Sequence, residues 1–329
     1  MAAAPQAPLL ALVGPTAVGK TEASLELAER IGAEIVAVDS MVVYRGMDVG
    51  TAKPTPEERA RVPHHLIDVT DPAEPFSVAR FQSLAREAVG TIRRRGHRSF
   101  LVGGSGLYFR AVVDDLVFPA TDPSTRALLE SEAAALGLAR MHARLLDADA
   151  TAAAKIEPGN VRRTVRALEV AALTGRPFSE FAEAWERYPA GRVRAAGVRL
   201  APEVLAGRIE ARVHGMVEGG LAEEVHRLLD RGMERFLTYS QAIGYLEMSE
   251  HLRGRMSLKE AVRRTIRRTK ALARRQMGWF RRDPRIRWFD AGAEGAAERI
   301  DDIERFLRDT TPEMGETPRV IETAGRKLG

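Results

Sequence analysis

Cysteine is missing from all 329 residues. That excludes disulfides, a thiolate metal site and a cysteine nucleophile. No run of 18 apolar residues occurs, so no membrane-spanning helix is expected. The opening residues, MAAAPQAP, lack a basic stretch, and no signal peptide is expected there. A cytoplasmic protein is the simplest fit. No internal repeat is evident. His64 and His65 have neither a cysteine partner nor an HExxH-type spacing, which favours a structural role over zinc ligation.

What remains is an ordinary globular composition, 45% hydrophobic and 29% charged, long enough for two cores. Charge is unevenly spread. Lys259–Arg287 holds 12 Lys/Arg and 2 Asp/Glu, a local +10; the whole chain carries +5, so the rest sums to −5. A basic block on a mildly acidic chain fits either a polyanionic partner or a solvated helix face.

Strand and helix signals alternate through the first third. Leu9–Val13, Glu34–Val38, His65–Val69 and Ser99–Val102 read as strands, with helices over Lys20–Ile31 and from an N-cap at Ser77 to about Arg94. Such alternation predicts a parallel sheet with crossover helices. From about Asp122 to Ala190 the signals are almost wholly helical. The fold class expected is α/β, a P-loop NTPase-like parallel sheet flanked by helices, with an all-helical insertion. Its core would comprise residues 1–115 and 197–310, with the insertion at 116–196 and a disordered tail at 311–329. A strand at Gly197–Ala201, one helix over Pro202–Arg231 and a last, basic helix over Ser257–Arg282 complete the expectation.

GPTAVGKT, Gly14–Thr21, fits GxxxxGK[ST] without a mismatch, between a strand and a helix. Glycines let successive amides converge on one anion, and the helix start adds positive potential. Lys20 supplies a point charge, and the Thr21 hydroxyl is a candidate Mg²⁺ ligand. The loop therefore binds phosphate but does not say whose. Asp39 ends the second apolar strand, on the ligand-binding side of a doubly wound sheet. It could serve a metal, act as a general base, or cap a helix.

The segment DSMVVYRGMDVGTAKP (Asp39–Pro54), with GPTAVGKT, PHHLID (Pro63–Asp68), LVGGSGLYFRAV (Leu101–Val112), RALEV (Arg166–Val170), TGRP (Thr174–Pro177), QAIGY (Gln241–Tyr245) and RRTKALARRQMGWFRR, resembles the tRNA dimethylallyltransferase family. The matches run in order from about residue 10 to 290. Such enzymes move a dimethylallyl group from dimethylallyl diphosphate to N6 of the adenine 3′ of the anticodon.

The resemblance implies that Gly14, Pro15, Thr16, Ala17, Val18, Gly19, Lys20 and Thr21 hold the donor's diphosphate, with Mg²⁺ at Thr21. It implies Arg212 as a further diphosphate contact and Asp39 as the base that takes the N6 proton. The adenine would be flipped out against Asp39, Ser40, Met41 and Val42. It ties tRNA contact to Ser105, Arg126, Arg162, Arg163, Thr164, Val165 and Arg166, and to Gln241, Ala242, Ile243, Gly244, Tyr245 and Leu246. The helical insertion would hold the anticodon arm. Val42 stands where glutamine is frequent in the family, and Leu246 where lysine is, which puts fine recognition in doubt. Val18, often serine, matters little because backbone amides bind the anion.

On a helical wheel, Arg263, Arg264, Arg267, Arg268, Lys270, Arg274, Arg275, Arg281 and Arg282 share about 160° of arc. Val262, Ile266, Ala273, Met277 and Phe280 form a separate docking stripe. Phe181, Trp185 and Tyr188 are expected in the insertion's core. A P-loop small-molecule kinase or an RNA-binding ATPase would share the loop and Asp39; the kinase leaves the basic helix and the insertion unexplained. Nothing in the sequence demands more than a monomer.

Overall fold

A computed structural model describes residues 7–233, 239 and 241–309. The tail expected to be disordered, 311–329, lies outside the described residues. Two compact units are present: one comprises residues 1–113 and 189–329, the other Asp114–Tyr188.

The first unit is built on a six-stranded sheet, β1 (Leu9–Val13), β2 (Ala33–Ala37), β3 (His64–His65), β4 (Arg98–Gly103), β5 (Val193–Leu200) and β6 (Ile286–Ala291). Their order is β3-β2-β4-β1-β5-β6, and every pairing is parallel. β1 is central, and its LLALV run is buried throughout because both faces are covered. Helix α1 (Lys20–Ile31) packs its Ala23, Leu25, Leu27 and Ala28 on β1, β2 and the C-terminal helix. Each of the two leucines contributes roughly 1.5–3 kcal/mol on burial. Between β2 and β4 lie α2 (Pro56–Arg61), closed by a Thr55–Glu58 capping box, and α3 (Val78–Arg94), capped by Ser77 as expected. α4 (Gly106–Val113) follows β4.

Several boundaries differ from the sequence expectation. β3 has two residues, not five, and ends where Leu66 turns into a left-handed conformation. The chain rejoins the sheet at Val193, four residues before GVRLA, so the insertion is shorter than 116–196. The helix expected over 202–231 is two, α9 (Pro202–Glu218) and α10 (Leu221–Asp230), because Gly219-Gly220 breaks it with Gly220 at φ 94°. α11 (Tyr245–Leu252) and α12 (Leu258–Phe280) come next. α12 is not the last helix: β6 and α13 (Ile300–Arg308) follow, and Ile300, Ile303, Phe306 and Leu307 join the core.

The second unit contains α5 (Pro123–Leu136), α6 (Leu138–Ala148), α7 (Ala150–Lys155), α8 (Val161–Thr174) and a 3₁₀ stretch over Phe178–Glu186. Asp122, Asp149 and Asn160 cap α5, α7 and α8 through side-chain acceptors. Its core gathers Leu129, Met141, Leu145, Ile156, Val165 and Leu168. Glu169 is fully buried there and accepts from Arg126 and Arg166, both at 2.7 Å, and from the Asp122 amide. Burial raises its pKa, but the two guanidiniums outweigh burial and hold the carboxyl below its ordinary range. Trp185 is half-buried and meets Phe118 edge-on at 6.0 Å, in keeping with a packing role.

Candidate active site

The loops leaving β1, β2 and β4 meet beyond the carboxyl ends of those strands, around a crevice of about 490 Å³. Thr16, Ala17, Gly19, Lys20 and Thr21 line one side. Gly14 has φ 151°, and a side chain there would lie 2.6 Å from the Val198 carbonyl. Ala17 adopts φ 67°, a left-handed conformation that alanine seldom accepts. Braces from distant elements hold it. The Arg208 guanidinium donates to Ala17 O at 2.8 Å, the Ala296 amide to Val18 O at 2.8 Å, and the Thr16 amide donates to Gln276 Oε1 at 2.8 Å. Val18 points into the core rather than the crevice.

Lys20 Nζ donates to Gly14 O at 2.9 Å and to Pro15 O at 2.6 Å. Burial lowers its pKa, Arg212 lowers it further and Asp39 opposes them; the result is about 7. Arg212, on α9, is held below its ordinary pKa by burial, with Asp39 again opposing. Lys20, Arg212 and Asp39 thus sense one another across the crevice that all three line. Arg208 lines the crevice with them, as do the carboxylates of Glu22 and Glu58.

Asp39 follows β2, and its Oδ1 accepts from the Met41 amide at 2.8 Å. The turn after β4 closes the floor. Gly103 lies so near Val38 that an added Cβ would be 2.2 Å from its carbonyl oxygen, and Gly104 abuts Gln276. Ser105 sits on that turn, donating its amide to Val38 O at 3.2 Å. Oxygen donors suited to a hard cation are present at the crevice, the Thr21 hydroxyl and the Asp39 carboxylate. No cluster of three or more His, Asp or Glu fit to hold a metal exists among the described residues.

The structure brings together Thr16, Ala17, Gly19, Lys20, Thr21, Asp39, Val42 and Arg212, with Ser40 and Met41 adjoining. Other expected residues do not line it. Ala242 and Tyr245 are buried, which removes their side chains from direct contact with RNA. Thr164 and Val165 are buried in the second unit; Arg162 and Arg163 on the same helix are exposed. Gln241 is exposed, and Ile243 and Leu246 are half-buried.

On α12 the buried face is Ala261, Thr265, Ala273, Gln276 and Phe280, rotated from the apolar stripe that the sequence offered. The rotation is what carries Gln276 to the phosphate loop. Arg263 and Arg264 pair with Glu260, Arg268 with Glu247 and Lys270 with Glu210. Arg267, Arg274, Arg275, Arg281 and Arg282 are exposed and make no ion pair among the described residues.

Sequence reading missed Arg208, Gln276 and His64. Arg208 lies one helical turn before Arg212 on the same face, a spacing that could have revealed it. Gln276 gave no signal. The PHHLID residues are placed by their contacts. His64 lines the crevice, His65 Nε2 lies 2.7 Å from buried Glu34, and Asp68 pairs with Lys53 and Arg59.

Residues 42–283 match the family model described as IPP transferase, and residues 7–68 match that described as isopentenyl transferase. A tRNA dimethylallyltransferase of Roseiflexus sp. is 48% identical over 300 residues, 91% of this chain and 98% of its own. Among solved structures, the full-length tRNA isopentenylpyrophosphate transferase of Bacillus halodurans is 43% identical with a TM-score of 0.66, covering 92% of this chain and 96% of that one. A eukaryotic dimethylallyltransferase acting on tRNA is 25% identical with a TM-score of 0.74, covering 90% of this chain and 76% of that one.

Proposed function

The chain belongs to the IPP transferase family, and from that membership we propose that it transfers a dimethylallyl group from dimethylallyl diphosphate to N6 of the tRNA adenosine 3′ of the anticodon. The carrying observation is that Lys20, Arg212, Thr21 and Asp39 line one crevice. In the reaction the allylic C–O bond breaks, diphosphate leaves with the electron pair, and N6 forms the new bond to carbon. Asp39 accepts the N6 proton. That assistance is worth about 10²–10⁴-fold, because the N6 lone pair is delocalised into the ring.

Negative charge grows on the leaving oxygen. The amides at the start of α1, Lys20 and Arg212 stabilise it more in the transition state than in the ground state. Thr21, with Asp39 nearby, would hold Mg²⁺, which supplies further charge neutralisation at the diphosphate when bound. The adenine enters flipped from its stack, beside Ser40, Met41 and Val42. The unpaired arginines of α12, with exposed Arg162 and Arg163, suit an RNA backbone. Arg126 and Arg166 already serve Glu169, and only their remaining donors are available to RNA. A monomer suffices for this chemistry.

The test is incubation with unmodified tRNA, Mg²⁺ and dimethylallyl diphosphate, followed by mass analysis of the nucleosides. One dimethylallyl group on adenosine is expected. Hydrolysis of ATP, or phosphate transfer to a small acceptor, with no gain on adenosine would overturn the reading.

A further inference from the structure

Asp39–Pro54 runs 16 residues without helix or extended strand, yet both its ends line the crevice, Asp39 and Val42 at one end and Thr51, Ala52 and Pro54 at the other. A segment this long and irregular needs anchors of its own. Backbone bonds link Val42, Val43 and Arg45 to residues 68 and 70. Lys53, buried, ties Tyr44 O at 2.8 Å to Asp48 and Asp68.

The third anchor comes from α10. Glu224, 2% exposed, accepts the Asp48 amide and the Val49 amide on Oε2, both at 2.8 Å, and the Gly50 amide on Oε1 at 3.1 Å. The Tyr245 hydroxyl donates to the same Oε1 at 2.7 Å. Three successive amides make a concave anion receptor, here filled by a side chain instead of a ligand. Charge-assisted bonds in a buried place are the strong kind. The Tyr245 ring is fully buried against Gly50, where an added Cβ would stand 2.5 Å from Cε2.

We propose that Glu224, seated by Tyr245, is a positioning residue for the transfer: it fixes the backbone at 48–50 and through it the crevice rim at Thr51–Ala52 and the Asp39 segment. The inference rests on the transfer reaction proposed above. It gives QAIGY a task distinct from touching RNA. Tyr245 supports the loop from beneath, while the diphosphate side of the crevice has separate braces, Arg208 and Gln276. Losing Glu224 therefore leaves donor binding alone and misplaces the acceptor side. Misplacement near 1 Å costs up to about 10²-fold in rate.

The variants are Glu224→Gln, which keeps shape but replaces one acceptor oxygen by a donor, and Tyr245→Phe, which removes only the hydroxyl. Three readouts are taken: single-turnover transfer, affinity for inorganic diphosphate, and amide exchange of residues 48–50. Expected are a fall in transfer of at least about tenfold for Glu224→Gln and a smaller fall for Tyr245→Phe. Diphosphate affinity stays within about twofold, and exchange at 48–50 quickens while that of β1 does not. The double variant should match Glu224→Gln, since both act on one anchor. Transfer within twofold of wild type, or unchanged exchange at 48–50, overturns the proposal; so does diphosphate affinity that falls in step with the rate. Wild-type protein is the control: absence of transfer there would indict the reaction, not the anchor.

Discussion

Gly14–Thr21 and the Asp39–Pro54 segment line one crevice and are built to different degrees by local sequence. Gly14–Thr21 is a short turn between a buried strand and a helix; those neighbours set its course, and Arg208, Gln276 and Ala296 brace it from afar. Asp39–Pro54 has no such local program. Its shape comes from a buried lysine, a buried glutamate and a buried tyrosine, the last two supplied from beyond residue 220. Binding an anion needs amides and charge that a local turn can present. Placing Asp39 against the acceptor, in the reaction proposed above, needs a rim held from several directions.

If that division holds, substitutions on the two sides should separate affinity from rate. The largest effect belongs to Asp39→Ala: transfer should fall about 10²–10⁴-fold in single-turnover assays at saturating donor, with tRNA binding nearly intact. Turnover within a few-fold of wild type would remove Asp39 from the role of base. Next is the anchor at Lys53, whose side chain is 1% exposed between Asp48 and Asp68. Lys53→Met should cost about 3 kcal/mol in denaturant unfolding, the low end for breaking a buried pair because Asp48 keeps contact with water. A loss under about 1 kcal/mol would mean the segment is held mainly by its backbone bonds.

The phosphate side has a pH signature. In the ligand-free protein Lys20 is charged below about pH 7 and neutral above it. A bound diphosphate favours the charged form, so above pH 7 binding takes up a proton. Affinity should then drop by up to about tenfold per pH unit until the pKa of the complex is reached. Calorimetry in two buffers of different ionisation enthalpy reads the uptake directly; zero uptake at pH 8 would contradict it. The same depressed pKa makes Lys20 unfavourable to folding at pH 7. That penalty shrinks as pH rises from about 7 toward the unfolded value of 10.5, since the unfolded chain then binds more protons than the folded one.

The smallest effect is on α12. Arg274→Gln and Arg275→Gln should each lower the salt dependence of tRNA binding by about one in log–log slope, with donor affinity unmoved. Lys270→Gln, already paired with Glu210, should change the slope less. Equal slopes for all three would dissolve the distinction between paired and free cations on this helix.

Sequence alone determined the features that depend on near neighbours. Apolar strands alternating with helices gave a parallel α/β sheet, GPTAVGKT gave the turn between β1 and α1, Ser77 and Ser257 gave helix starts, and the order of motifs gave the family. Strand β6 and helix α13 went unread because nothing beside them announced a return to the sheet. The tertiary structure alone decided what completes the site. Gln276 lies 260 positions from Thr16, Arg208 lies 191 from Ala17, and Glu224 lies 176 from Asp48. Periodicity assigns a residue to a face, but a buried polar side chain finds its partner only when the fold delivers one. Gln276 on a helix wheel is a polar interruption; in the folded chain it holds a phosphate-loop amide. Tyr245 reads as part of a motif tied to tRNA contact and Glu224 carries no signal at all, until burial obliges each polar atom to bond and the three amides at 48–50 are what lie within reach.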